Sequence, residues 1–353
     1  MSTLRPVAFV LLFVVAPTAS FADDQREMPA QLAKILHWLP ANTETLQVAN
    51  GPFLLFEKEP PLPPVPVPEP ALTSNKSKPA APIANPEKSK ASATRFDHLF
   101  LEMYCYPLRK LGPEFKKPLG QVKVQLIVRG SRQFRPPPGI GGFLYDGCTV
   151  FVLDADADPA LQAAMTGCLK QAREVITLSD VRVGVYEMQL NDGKWTFYFA
   201  RPAPGVLLCA TERIFLDDML KRMKKKPEVR AFAGTLAEWK HFDFKARFWG
   251  LRHFGKGVRD GILDSLKEKD PGAIGFVFRC RPNAKPPLSG FYVSSRTDAA
   301  ALLRQSFDQF ENEQKFAMTP REGGVEISPA DDDWDVLYFL FLSLSLLGHC
   351  ANL

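Results

Sequence analysis

The stretch Phe244–Gly257 reads FKARFWGLRHFGKG and is the most chemically dense part of the chain. Its apolar pattern predicts a strand over Phe244–Trp249, and we expect this strand to begin the second half of the fold and to form the junction between the halves. The candidate ligand-binding residues combine charge or hydrogen-bonding capacity with aromatic neighbours, and they are Trp249, Arg252, His253 and Lys256.

Residues Gly250–Lys256 also resemble a phosphate-binding loop, in which backbone amides and a following helix attract phosphate. Gly257 stands where that motif needs the Ser or Thr that holds magnesium, which argues against a nucleotide. Two other interpretations remain open: a cationic site for an anion, and a structural role in which Arg252 stacks on an aromatic ring or pairs with an acid. We favour the structural role because no complete motif accompanies the stretch.

The sequence around His253 carries no recognisable catalytic or metal-binding motif. Histidine titrates near neutral pH and is a common general base, yet neither a G-x-S-x-G elbow nor an H-E-x-x-H pair occurs in the chain. The histidines are single, and no two cysteines form a C-x-x-C pair. We therefore expect no catalytic residue, no metal ion and no cofactor.

Residues 1–22 have the features of a secretory signal. Arg5 precedes an apolar run, Pro17 interrupts it, and Ala22 ends a small-residue cleavage site. The run is far shorter than the ~20 residues that span a bilayer, so we expect cleavage. The apolar segment Val336–Leu347 is also too short to span and is expected to be a buried helix. The protein is then secreted or periplasmic, without a transmembrane segment.

Six cysteines follow the leader, and an oxidising compartment permits them to form disulfides. The sequence cannot choose among the possible pairings. The alternative is that several are small buried side chains. Cys168 fits this alternative because it lies on the apolar face of a helix predicted to begin near Asp158.

The composition is that of a globular protein with one unusual segment. Hydrophobic residues make up 46% of the chain and charged residues 24%, and the net charge is +5 with both signs interspersed. This surplus is too weak to predict nucleic acid as a partner. Residues 57–94 hold ten of the 31 prolines, and this composition predicts a disordered, extended insertion.

The order of predicted elements indicates an α+β protein with a mostly antiparallel sheet, since most connections between strands are too short for crossover helices. Each half reads strand, helix, two strands, helix, further strands and helix, which predicts two similar α/β units. The first unit comprises residues 23–56 and 95–240, interrupted by the proline-rich insertion at 57–94. The second unit comprises residues 241–353 and ends in the apolar helix.

Three stretches resemble a family of uncharacterised secreted bacterial proteins. They are LHWLPANTETLQVANGPF at Leu36–Phe53, FWGLRHF at Phe248–Phe254 and DPGAIGFVF at Asp270–Phe278. The resemblance implies export and a shared α+β architecture. It implies no activity and assigns no catalytic or binding residue.

These observations favour a non-catalytic, exported protein with a binding or structural role in the cell envelope, where its partner is another envelope protein or a polymer. A second hypothesis is an exported enzyme of hydrolytic type that uses Arg252 and His253 in a cleft between the two halves. A third is an inhibitor or adaptor that docks through the proline-rich segment.

Overall fold

The computed structural model describes residues 28–56, 104–132, 147–190, 193–225, 227–253, 273–280, 288–294, 296–301 and 316–329. Residues 104–109 are helical. The other elements before residue 226 are α1 (Ala30–Trp38), β1 (Thr45–Leu54), α2 (Pro113–Leu119), β2 (Lys123–Ser131), β3 (Gly147–Leu153), α3 (Asp158–Gln171), β4 (Glu174–Leu178), β5 (Val181–Leu190), β6 (Gly193–Ala203), β7 (Val206–Ala210) and α4 (Arg213–Lys225).

The second half is built mainly of strands in the part that the structure describes. A short 3₁₀ helix, Ala237–His241, precedes the strands β8 (Phe248–His253), β9 (Ala273–Cys280), β10 (Leu288–Ser294), β11 (Phe316–Arg321) and β12 (Gly324–Pro329). The sequence also predicts a helix over Val258–Lys267, and both this helix and the apolar helix at the end of the chain lie outside the described residues.

All of these strands belong to one 12-stranded sheet in the order β11-β12-β10-β9-β8-β1-β2-β3-β7-β6-β5-β4. Every neighbouring pair is antiparallel. The pair β1 and β8 joins the strands of the first half to those of the second. Thr45 pairs with Arg252 and Ala49 with Phe248, so the sheet continues across the junction without a gap.

Each face of the sheet carries its own hydrophobic core. On the first face, the helical residues 104–109, α2 and α3 pack against strand residues such as Phe151 and Phe199. On the second face, α1, α4 and the residues around the 3₁₀ helix pack against residues such as Val150 and Trp249. Strands β3 and β7 are buried along their whole length because helices cover both of their faces. We call the first face of the sheet the α3 face and the second the α1 face.

The structure confirms the predicted α+β class with a mostly antiparallel sheet. The apolar pattern predicts strands over Val181–Leu190 and Val206–Ala210, and β5 and β7 have these bounds. The strand predicted over Phe244–Trp249 instead begins at Phe248 and runs to His253. No described helix is both long and apolar enough to cross a membrane.

One other local prediction is wrong, and one strand was missed. We expect Gly51-Pro52 to close the first strand, yet β1 continues to Leu54 past a break in its register with β2. The short edge strand β4 is not predicted at all. It is joined to β5 by Ser179 and Asp180, whose φ angles are 47° and 62°. A two-residue type I′ hairpin turn has positive φ at both central positions, which Gly and Asn usually occupy.

Gly250 of β8 lies where the packing leaves no room for a side chain. A Cβ atom there would lie 2.2 Å from the Phe278 ring and 3.0 Å from the Leu46 carbonyl oxygen. Atoms of the neighbouring strands β9 and β1 therefore fill the space where a side chain at residue 250 would lie. Any other residue would displace an aromatic side chain of the α3-face core, where Phe278 is 1% exposed.

Replacing Gly250 with Ala is expected to lower the free energy of unfolding by about 1–3 kcal/mol, because the added methyl group overpacks a well-filled core. Gly120→Ala is the matched control, since its Cβ would meet only the Lys117 and Lys116 carbonyl oxygens at 3.6 and 3.8 Å. Guanidinium unfolding followed by tryptophan fluorescence measures both. Equal stabilities for the two variants would contradict a tight junction at Gly250.

Candidate functional site

Strand β8 holds three of the candidate residues, Trp249, Arg252 and His253, in the middle of the sheet, between β1 and β9. Successive side chains of a strand point to opposite faces. Trp249 and His253 therefore share the α1 face, whereas Arg252 lies on the α3 face with Phe248. The structure separates Arg252 from the other two residues, and Lys256 lies outside the described residues.

Trp249 is a core residue with 1% exposure. Its indole ring makes edge-to-face contacts with Phe242 at 4.8 Å and Phe244 at 5.6 Å between ring centroids. Such contacts add to the stabilisation that comes from burying a large ring. The side chain therefore holds the segment after the 3₁₀ helix onto the α1 face.

Arg252 is also buried, at 5% exposure, next to Thr45 of β1 and Phe276 of β9. Its charge acts on the Glu44 carboxyl at the start of β1. Burial raises the pKa of Glu44, and the charges of Arg252 and His253 oppose that rise. Arg252 is thus part of the junction in which β1 and β8 meet.

The phosphate-loop interpretation fails on backbone geometry. Residues 250–253 belong to strand β8 and pair with β1 and β9. Phosphate-binding loops present unpaired backbone amides to the anion. The amides of this strand are instead engaged by its two neighbours, as where the His253 N–H donates to the Glu44 carbonyl oxygen at 3.0 Å.

A second set of contacts at the junction was not anticipated. The Asn50 side-chain amide donates to the carbonyl oxygens of Phe244 and Ala246, at 2.9 and 2.7 Å. Arg247 donates to the Asn50 carbonyl oxygen at 2.8 Å and to that of Pro52 at 3.3 Å, and its guanidinium lies 3.8 Å from the Phe53 ring centroid. These bonds satisfy backbone groups beside Pro52, where the ladder is interrupted.

His253 forms a short polar contact with Glu238. The His253 Nδ1 atom lies 2.5 Å from the Glu238 Oε1 atom. The Glu238 side chain is 1% exposed, whereas that of His253 is 36% exposed. Glu238 lies fifteen residues before His253 in the chain, and its surroundings, LAEWKH, match no motif. Sequence reasoning therefore missed this residue.

Gly275 makes the position of Glu238 possible. It lies opposite His253 in β9, and a Cβ atom there would be 2.3 Å from Glu238 Oε1. The second carboxylate oxygen, Oε2, is buried and has no hydrogen-bond partner in the described part of the chain. Buried polar atoms of this kind are rare and call for a specific explanation.

His241 stands at the end of the same 3₁₀ helix and stacks on Phe291 of β10, with 3.8 Å between ring centroids. Burial lowers the pKa of His241, and the charges of Lys240 and Arg279 lower it further, while Glu238 opposes them. The neutral imidazole is therefore the form that the fold prefers.

The cysteines behave as buried side chains in the described part of the chain. Cys105, Cys148, Cys168 and Cys209 are free thiols. Burial raises the pKa of Cys105 and Cys148 to about 12 and that of Cys168 to about 11. Since the thiolate is the reactive form, these side chains are chemically protected. Cys350 lies outside the described residues.

No protein-family model, no curated protein and no solved structure matches this chain. Within the described ranges, no three His, Cys, Asp or Glu side chains are placed to hold a metal ion.

Acidification is expected to destabilise the protein through His241. The folded state resists protonation of this ring, whereas the unfolded chain takes up a proton near pH ~6.5. Below that pH the unfolded state binds more protons, so the free energy of unfolding falls as pH falls toward the folded pKa. His241→Phe, which keeps a ring against Phe291, should lose less stability between about pH 7.5 and 5.5 than the wild type. Parallel unfolding free energies for the two proteins would contradict this.

Proposed function

We propose that this chain is an exported α+β protein with a binding or structural role in the cell envelope, and that its role is not catalytic. The observation that carries the proposal is the burial of Trp249 and Arg252, at 1% and 5% exposure, in the middle of a continuous sheet. A catalytic group must come within hydrogen-bonding reach of its substrate. The chemically densest stretch of the chain is instead used to join the sheet.

We also propose that the sheet consists of two similar units that meet at the β1–β8 pair. The strand order β1-β2-β3-β7-β6 on one side parallels β8-β9-β10-β12-β11 on the other. In both, three strands that are consecutive in the chain are neighbours in the sheet. The third of them, β3 or β10, then pairs with a strand that comes later in the chain, β7 or β12, and that strand pairs with the one before it, β6 or β11. On this proposal, the proline-rich residues 57–94 are a tolerated insertion in the first unit.

The resemblance to secreted bacterial proteins supports the same proposal. One of the three stretches that carry it contains β1 up to Phe53, a second contains β8, which pairs with β1, and the third contains most of β9, the next strand. A shared central sheet would account for all three. Export itself rests on residues 1–22, which lie outside the described residues.

An exported enzyme remains a second candidate because of the Glu238–His253 pair. A carboxylate bonded to one imidazole nitrogen orients the other nitrogen for proton transfer in many hydrolases. Arg252 lies on the opposite face of the sheet, so such an enzyme would use His253 with Glu238 and not with Arg252.

Export and envelope association are tested together with the full chain expressed in a bacterium. We expect the wild-type product to lie outside the cytoplasm and to lack residues 1–22, as mass spectrometry of the product would show. A variant that is expressed without those residues should stay in the cytoplasm. We also expect the purified mature chain to sediment with isolated cell envelopes.

Deletion of Pro60–Pro86 should leave both sedimentation and stability unchanged, because the folded body carries the binding role. Loss of sedimentation on this deletion would instead favour the adaptor that docks through the proline-rich segment. A full-length cytoplasmic product, or a mature chain that does not sediment, would contradict the proposal.

A further inference from the structure

The half-exposed end of β8 presents hydrogen-bond acceptors. His253 Nδ1 contacts the buried carboxylate of Glu238 at 2.5 Å. An ionised carboxylate can only accept hydrogen bonds, so Nδ1 carries the hydrogen in this contact. The neutral ring then has its lone pair on Nε2, and the side chain is exposed enough, at 36%, for that atom to meet a ligand.

Glu238 adds an acceptor that the fold does not use. Its side chain is 1% exposed, and Oε2 has no hydrogen-bond partner among the described residues. Leaving a buried polar atom without a hydrogen-bond partner is unfavourable, because the atom has lost its bonds to water. The close fit of this side chain over Gly275 shows that the carboxylate is held in place by the packing of the 3₁₀ helix on β9.

Glu44 supplies a second carboxylate beside His253. The register that pairs Thr45 with Arg252 places Glu44 opposite His253, and the His253 N–H bonds to the Glu44 carbonyl oxygen at 3.0 Å. Residues opposite each other on antiparallel strands lie on the same face. The Glu44 side chain is partly exposed at this end of the strand pair.

Three positively charged side chains lie nearby. Arg252 lies on the α3 face, although its charge reaches the Glu44 carboxyl, and Lys240 is exposed on the 3₁₀ helix. Arg279 of β9 donates to the Ser289 hydroxyl at 2.8 Å and approaches Glu326 at 3.7 Å. The site therefore offers two carboxylates and an imidazole lone pair, which favour a positively charged hydrogen-bond donor and disfavour an anion.

We propose that Glu238, His253 and Glu44 form a binding site for a primary ammonium group. This inference rests on the binding role proposed above and replaces the anion site considered for Arg252, His253 and Lys256. An ammonium group carries three donor hydrogens, which Nε2 of His253 and the partly exposed Glu44 carboxylate can accept, while the buried Glu238 carboxylate contributes its negative charge.

The test uses the mature chain with ¹⁵N-labelled histidine and follows the His253 ring signals by NMR. Methylammonium chloride is the probe, with sodium chloride at equal ionic strength and sodium phosphate as comparisons. We expect a saturable shift with methylammonium alone. Glu238→Gln and Glu44→Gln should each weaken it about tenfold or more, because charge-assisted hydrogen bonds are the stronger ones. Glu322→Gln, at an exposed position between β11 and β12, should leave it unchanged.

A shift with phosphate but not with methylammonium would overturn the proposal, as would no shift with either probe or equal binding by the glutamine variants. Unfolding curves establish whether each variant is folded. If Glu238→Gln does not fold, the binding measured with Glu44→Gln still decides the test. If methylammonium binds but the mature chain does not sediment with cell envelopes, the envelope role is refuted and the ammonium site stands. If the chain sediments but methylammonium does not bind, the ammonium site is refuted and the envelope role stands.

Discussion

The antiparallel pairing of β1 with β8 is the interaction on which the rest of the structure depends. It joins seven strands, β1 to β7, to the five that follow and so produces one sheet in place of two. A separate edge on each half would expose unpaired backbone groups to other chains. The pairing removes both edges and allows α1 and the 3₁₀ helix to pack on the same face of the combined sheet.

This constraint explains why the densest chemistry in the sequence does not form one site. Strand alternation sends Trp249 into the α1-face core and Arg252 to the opposite face. Asn50 and Arg247 then hold the irregular end of β1 in place through backbone carbonyl oxygens. Only the last residue of β8, His253, is left half-exposed, and it is the one that meets the buried carboxylate of Glu238.

The sequence was a good guide where local periodicity decides the structure. The helix that contains Cys168 and the strands β5 and β7 follow directly from apolar spacing. It was a poor guide where long-range contacts decide. β1 continues past Pro52 because Arg247, far along the chain, binds the carbonyl oxygens there. Glu238 contacts His253 because Gly275, in a third segment of the chain, leaves room for the carboxylate. A contact that depends on three separate segments cannot be predicted from a local sequence pattern.

Amide hydrogen exchange across the junction tests the central claim most directly. The bonds to follow are from the His253 N–H to Glu44 and from the Asn50 N–H to Arg247. If β1 and β8 form one cooperative sheet, these amides exchange only through global unfolding, with equal opening free energies on both strands. Exchange of the β8 and β9 amides through a lower-energy opening, while β1 and β2 stay protected, would show that the halves separate and would contradict the account.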